Sequence, residues 1–376
     1  MAVVLLIGCG LMLQSVARLY AIDPGIRTEG LLTAGVSLGA QRDRARAVTF
    51  YHRVLDEVSG LPGVASVGAA NILPFEADLM SGSGVRILSR PQAENEVRPI
   101  ARYKAVTAGY FETLGMPLVE GRAPERADSD QDRSVLWVNE TFVREFLTGR
   151  AVGERVSING RTLEIVGVVG DVREFGLREH VRPTGYLPLR AVASVPLDVM
   201  YVVVRTTGAP ASLAVAVRAA LGRVDASVPL TTVRTMEQIV AKSLAQMSFT
   251  MTLLGIAASV ALVLSVIGLY GVTRYIVSQR TTEIGVRLAL GAQPRDVRGM
   301  VLRQGVTAAL AGVIVGLTAA YALTRVMTSL LFEVSARDPV TFGATALVLI
   351  VVNAVATYLS AHRVTQIDPL VALRYE

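Results

Sequence analysis

Lysine is almost missing from this chain: of 37 basic residues only Lys104 and Lys242 are lysines, and neither follows a glycine. A Walker A loop ends in Gly-Lys-Ser/Thr, so the sequence carries none and is not a P-loop ATPase. Cysteine is scarcer still. Cys9 stands alone, which excludes an internal disulfide and any cysteine-based zinc site. Histidine occurs three times, at His52, His180 and His362, with no spacing that gathers three or four metal ligands. No Gly-x-Ser-x-Gly elbow is present. Asp128, Asp130 and Asp132 alternate without the glycine and terminal glutamate of a calcium loop, and read as a solvated stretch. We therefore expect no metal, no cofactor and no catalytic residue. The net charge of +6 over 376 residues is too small to argue for nucleic acid.

Charged residues are few overall, 18% against 52% hydrophobic, and mean hydropathy is +0.47. That is too apolar for an ordinary soluble protein. The apolar residues are concentrated in Ser248–Thr273, Gly305–Thr324 and Val340–Ala361, none of which contains Asp, Glu, Lys or Arg. Each reaches the ~20 residues that a helix needs to cross a bilayer. A fourth apolar run, Met1–Ala17, opens the chain with no basic residue before it. It reads as a retained membrane helix starting partway along its length, with a cleaved signal as the alternative. Four spans are thus expected, the first within residues 1–19. The link between the second and third holds Arg274, Arg280, Arg287, Arg295, Arg298 and Arg303, whereas that between the third and fourth holds only Arg325 and Arg337. The positive-inside rule then puts segment 274–304 and the tail 362–376 in the cytoplasm, and residues 20–247 outside.

The fold class expected is an α+β membrane protein. The outer region shows two βαβ-like blocks: strand Leu31–Leu38, helix Gln41–Ser59, strand Ala65–Leu73; then strand Val199–Thr206, helix Pro210–Val224, strand Pro229–Val233. Both helices carry an apolar face at i, i+3, i+4 spacing. Together they predict a split βαβ sandwich of four strands and two helices, with Val97–Leu189 as an inserted subdomain. Met236–Gln246 reads as a helix running into the second span. Uncharged spans disfavour a proton-driven carrier. Ala308, Gly312 and Gly316 form a small-residue ridge suited to close helix packing, either within one bundle or across a dimer.

The segment Gln279–Gln293 reads as a short amphipathic helix. Thr281 or Thr282 caps it, Glu283 and Arg287 pair at i, i+4, Ile284 with Leu288 gives an apolar face, and Gly291 suits the C-terminal cap. Such a helix either lies on the inner membrane surface or docks on a cytoplasmic partner.

Arg280-Thr-Thr-Glu-Ile-Gly-Val-Arg-Leu-Ala-Leu-Gly-Ala292 resembles the segment after the second helix of MacB/FtsX-type ABC transporter permeases. The tail Ala361–Glu376, Leu330-Leu-Phe332 with Asp338-Pro339, Tyr110–Pro117 with Glu120-Gly-Arg122, Val138-Asn-Glu140 and Ile165–Val172 are also similar to that family, in the right order and over nearly the whole chain. The details are closest to duplicated acidobacterial-type permeases, in which this chain would be the second unit. The resemblance implies a MacB-like periplasmic core domain at 20–247 and an FtsX-like permease domain at 248–376 in a bacterial inner membrane. It implies a permease paired with a second permease unit, and no enzyme activity of its own. A separate cytoplasmic ATPase would contact Glu283, Ile284, Arg287, Leu288 and Gly291, with the tail around Pro369, Leu370 and Leu373 nearby. It implies export or efflux, with a non-transporting signal transmitter acting on a periplasmic partner such as a cell-wall hydrolase as the alternative.

Overall fold

The computed structural model describes residues 2–39, 43–76, 80, 82–90, 98–191, 197–279, 294–324, 334–335 and 337–364. They divide into two compact units, one of Met1–Ala21 with Gln246–Glu376 and one of Ile22–Ala245.

In the second unit, β1 (Leu31–Ser37), β2 (Val64–Ala70), β10 (Val199–Thr206) and β11 (Leu230–Thr235) form an antiparallel sheet in the order β11-β1-β10-β2. Helices α2 (Arg44–Ser59) and α6 (Pro210–Val224) pack side by side on it. Val48, Tyr51, Val54 and Val58 of α2, and Val217, Ala220 and Leu221 of α6, are buried against Leu32, Ala34 and Val36 of β1. These are the faces that the 3.6-residue and two-residue periodicities select. Pro210 sits in the first turn of α6, where its missing N–H costs nothing. The expected split βαβ sheet with its two helices is present.

The inserted part differs from the sequence reading. It begins earlier than Val97, at β3 (Gly82–Ile87), and continues through β4 (Ile100–Val106), β5 (Leu118–Gly121), β6 (Val135–Asn139), β7 (Arg155–Ile158), β8 (Arg161–Val169) and β9 (Thr184–Pro188). Six of these close on themselves: β4 pairs β3, then β7, β8, β6 and β9 follow, and β9 returns to β4 in parallel register, with Lys104 facing Tyr186. Val85, Ala101, Ala105, Leu136, Val138, Val156, Leu163 and Ile165 are buried in its core. Closure removes the open edges that short strands otherwise expose. β4 also meets β2, through the single pair Ala70 and Val106, so one strand belongs to both parts.

Three short helices brace the ring: α3 (Tyr110–Leu114), α4 (Arg126–Asp130) and α5 (Glu140–Phe146). α3 packs on β2 and β10. A Cβ at Gly68 would lie 2.5 Å from the Tyr110 Cα, so only glycine lets α3 approach so closely. Asn139 caps α5 by accepting from the Phe142 N–H at 3.0 Å.

In the first unit, α1 (Ala2–Ala21), α8 (Pro294–Leu323) and α9 (Pro339–Val364) pack together around Val3, Ile7, Leu11, Val313, Ala320 and Leu349. α7 is one unbroken 44-residue helix, Met236–Gln279, as the sequence suggested for its start. Among the described residues two helical stretches are long and apolar enough to cross a membrane, Ala2–Ala21 and Ser248–Val272; Leu310–Leu323 and Pro339–Val355 are apolar but shorter.

Candidate functional site

The residues first expected to contact a partner, Glu283, Ile284, Arg287, Leu288 and Gly291, and the tail residues Pro369, Leu370 and Leu373, lie outside the described residues. Of the small-residue ridge, Ala308 is in α8 without a described side chain. Gly316 meets α1: a Cβ there would sit 2.5 Å from Val3 Cγ2. No described atom lies within 4 Å of a Cβ placed at Gly312. Close approach of α1 and α8 thus depends on one glycine of the ridge. One turn of polar contact adds to the packing: Gln14 Nε2 donates to Asp338 Oδ2 at 3.1 Å, and the same oxygen accepts from the Thr341 N–H and hydroxyl at 2.9 and 2.6 Å at the start of α9.

The α+β domain holds a buried charged cluster that the sequence reading missed. Lys104, on the outer face of the ring, is fully buried and donates to Glu174 Oε2 at 2.6 Å and to the Tyr110 hydroxyl at 3.3 Å. The Tyr186 hydroxyl donates to Glu174 Oε1 at 3.3 Å, and the ammonium lies 5.6 Å from the Tyr110 ring centroid and 6.0 Å from that of Tyr186. Burial pushes the Lys104 pKa down and the Glu174 charge opposes that shift. Phe111 stands edge-on to both Tyr186 and Trp137 beside the cluster. The only available signal was rarity: one of two lysines, placed inside a β-strand.

Asp128 corrects the reading of a solvated acidic stretch. It is buried in α4, takes two hydrogen bonds from Arg122 at 2.7 and 2.6 Å, and accepts from the Glu125 N–H at 2.8 Å in a capping box. Burial opposes its ionisation, but the Arg122 and Glu125 hydrogen bonds and the charges of Arg122 and Arg133 together hold its carboxyl below the usual range. Asp130 and Asp132 are surface residues, and Asp130 approaches His52 Nδ1 at 3.1 Å. Among the described residues no group of three or more His, Cys, Asp or Glu side chains could hold a metal ion.

His52 is buried on α2, facing Asp130 and Arg126 of α4 and Asp56 of its own helix. Burial is the main influence and lowers its pKa from the ordinary 6.5, with Asp130 opposing. The native state therefore binds fewer protons than the unfolded chain just below pH 6.5, and this contribution to stability is lost as pH falls through that range. Urea unfolding of the detergent-solubilised full chain, followed by Trp137 fluorescence, should show a midpoint that drops between pH 7 and 5.5. His52→Gln should flatten that dependence; an equal slope in the variant would reject the assignment.

The α+β domain is thus carried in the chain between helices that include two apolar enough to cross a membrane. A MacB-like periplasmic core domain matches residues 2–221, and an FtsX-like permease C-terminal domain matches residues 255–369. The chain belongs to the MacB/FtsX-type ABC transporter permeases. It is 26% identical to the macrolide export ATP-binding/permease protein MacB of Chromobacterium violaceum, over 82% of this chain and 50% of that one. Against MacB of Acinetobacter baylyi the identity is 24%, over 81% and 48% of the two chains. The ABC transporter permease YknZ of Bacillus subtilis is 23% identical over 90% of this chain and 82% of its own. The chain thus spans about half the length of the MacB proteins it matches. Among solved structures, the periplasmic region of MacB from Actinobacillus actinomycetemcomitans aligns with 59% of this chain and 95% of its own, at 15% identity and a TM-score of 0.41.

Proposed function

We propose that this chain is the permease part of an ABC transporter that relays ATP-driven motion of a separate ATPase to its α+β domain, in export or efflux. The observation that carries the reading is α7: 44 residues of continuous helix lead from the end of β11 through the apolar stretch Ser248–Val272 to the arginine-rich segment that follows. A helix without a break passes axial displacement along its length, whereas a flexible linker would absorb it. These 376 residues hold no Walker A loop, so the ATPase of this reading lies outside them. The MacB relatives are macrolide export proteins by name, which favours transport over signal transmission.

In this reading four helices cross the inner membrane, residues 20–247 lie in the periplasm, and 274–304 with the tail lie in the cytoplasm. Glu283, Ile284, Arg287, Leu288 and Gly291 form the ATPase-docking helix, with Pro369, Leu370 and Leu373 beside it. A second permease unit completes the transporter within the lipid bilayer. Affinity purification of the full chain from its host should recover an ABC ATPase. Arg287→Glu together with Glu283→Lys should abolish that recovery while membrane insertion is unchanged. ATPase recovery equal to the parent would count against this docking assignment.

A further inference from the structure

Two segments of the α+β domain border the apolar helices in sequence: 22–30 after α1, and β11 before α7. Neither is a loose linker. In the first, the Gly25 N–H donates to Asp23 Oδ1 at 2.8 Å, the Arg27 N–H donates to the Leu114 carbonyl at 2.8 Å, and Arg205 donates to the carbonyls of Arg27 and Glu29 at 3.0 and 3.1 Å. Pro24 offers its carbonyl to the Arg173 N–H at 3.2 Å. Gly25 has φ +79°, and a Cβ there would fall on the Asp171 carbonyl oxygen. In the second, Arg234, two residues before α7, donates to both oxygens of Glu76 at 2.9 and 3.1 Å. Glu76 follows Phe75, a bulky buried residue held at φ +66°, whose N–H donates to the Glu174 carbonyl at 2.8 Å. A left-handed backbone at such a residue is strained and persists only where its surroundings impose it.

Both segments therefore arrive at the same short stretch, Asp171–Glu174. One reaches Arg173 directly, the other reaches the Glu174 carbonyl by way of Glu76 and its neighbour Phe75, and the Glu174 carboxylate is locked to Lys104 in β4 of the ring. We propose that Glu174 is the junction residue of this domain: it ties the segment after α1 and the segment before α7 to the barrel, so that the barrel follows both. This assigns a positioning task to a buried ion pair that carries no catalysis. It rests on the mechanical reading above, but its test needs no ATPase.

The measurement is the distance distribution between paired spin labels in the full chain, reconstituted in lipid nanodiscs, with Cys9→Ala removing the native thiol. One pair joins Glu29→Cys to Arg155→Cys of β7, and the other joins Glu237→Cys to Arg155→Cys; all three positions are exposed. Both distributions should be narrow in the parent. Lys104→Met with Glu174→Met, which exchanges the ion pair for apolar groups of similar length, should broaden both while Trp137 emission and the unfolding midpoint stay near the parent's. Gly25→Ala should broaden the first pair alone, and Arg234→Gln the second alone. Unchanged widths in the double methionine variant would overturn the junction. If that variant unfolds instead, the two single-arm variants decide: equal broadening of both pairs by either one would also overturn it. A junction that passes these tests beside a chain that recovers no ATPase would sink the transporter reading and leave the junction standing.

Discussion

Glu174→Gln should destabilise the α+β domain by about 3–5 kcal/mol, the usual cost of stranding one charge of a buried pair. Lys104 has no exposure to water, and among the described residues its hydrogen-bond partners are the carboxylate and the Tyr110 hydroxyl at 3.3 Å. A neutral amide can accept a hydrogen bond but supplies no compensating charge in a low-dielectric site. The variant must either bury a naked ammonium or deprotonate it, and burial already presses the lysine towards the neutral form. Replacing both partners by methionine should cost much less, because it removes the desolvation of two ions along with their attraction. Urea titration of the full chain, with Trp137 as the sole tryptophan, gives both numbers. Equal losses from the single and the double variant would show that shape, not charge, accounts for the effect.

Gly316→Leu should separate α1 from α8, whereas Gly312→Ala should change little. The first introduces a Cβ at 2.5 Å from Val3 Cγ2, and Val3 is β-branched and fixed on a helix, so the helices themselves must move. Overpacking of this kind costs about 1–3 kcal/mol. The second adds a methyl group where no described atom lies within 4 Å, and in a helix alanine is intrinsically better than glycine by ~1 kcal/mol. Thermal unfolding in detergent and cross-linking between α1 and α8 should rank the two in that order. A destabilised Gly312→Ala with an unaffected Gly316→Leu would reverse the assignment of the packing face.

The sandwich was legible because its signals are local. Pro210 starts α6, the apolar spacing of Val48, Tyr51, Val54 and Val58 marks the buried face of α2, and the β-branched run in Val199–Thr206 is β10. The barrel was not legible as a barrel. Its strands are as short as four residues, and its closure is the parallel pairing of β4 with β9 across some eighty residues of chain, which no window of periodicity spans. β3 was missed outright, since Gly82-Ser-Gly84 at its start reads as a turn. Asp128 looked like one member of a hydrophilic alternation. Its burial follows from Arg122, six residues away and just past the end of β5, where Gly121 has φ +82°. The ion pair of Lys104 and Glu174 joins residues seventy positions apart, and nothing in either neighbourhood announces the other. For the small-residue ridge, spacing identified a face but not which glycine is in contact, because that depends on where the partner helix crosses.

The strand order has a consequence for how the protein is made. β1 lies between β10 and β11, with Leu31 opposite Arg205 and Ser37 opposite Val199. A ribosome adding ~5–20 residues per second leaves this apolar strand without either neighbour for on the order of ten seconds. Through that interval Leu31, Leu32, Ala34 and Val36 offer an open template to any extended chain nearby. Biogenesis of this domain should therefore depend on a holdase that shields Leu31–Ser37 until the last strand has emerged.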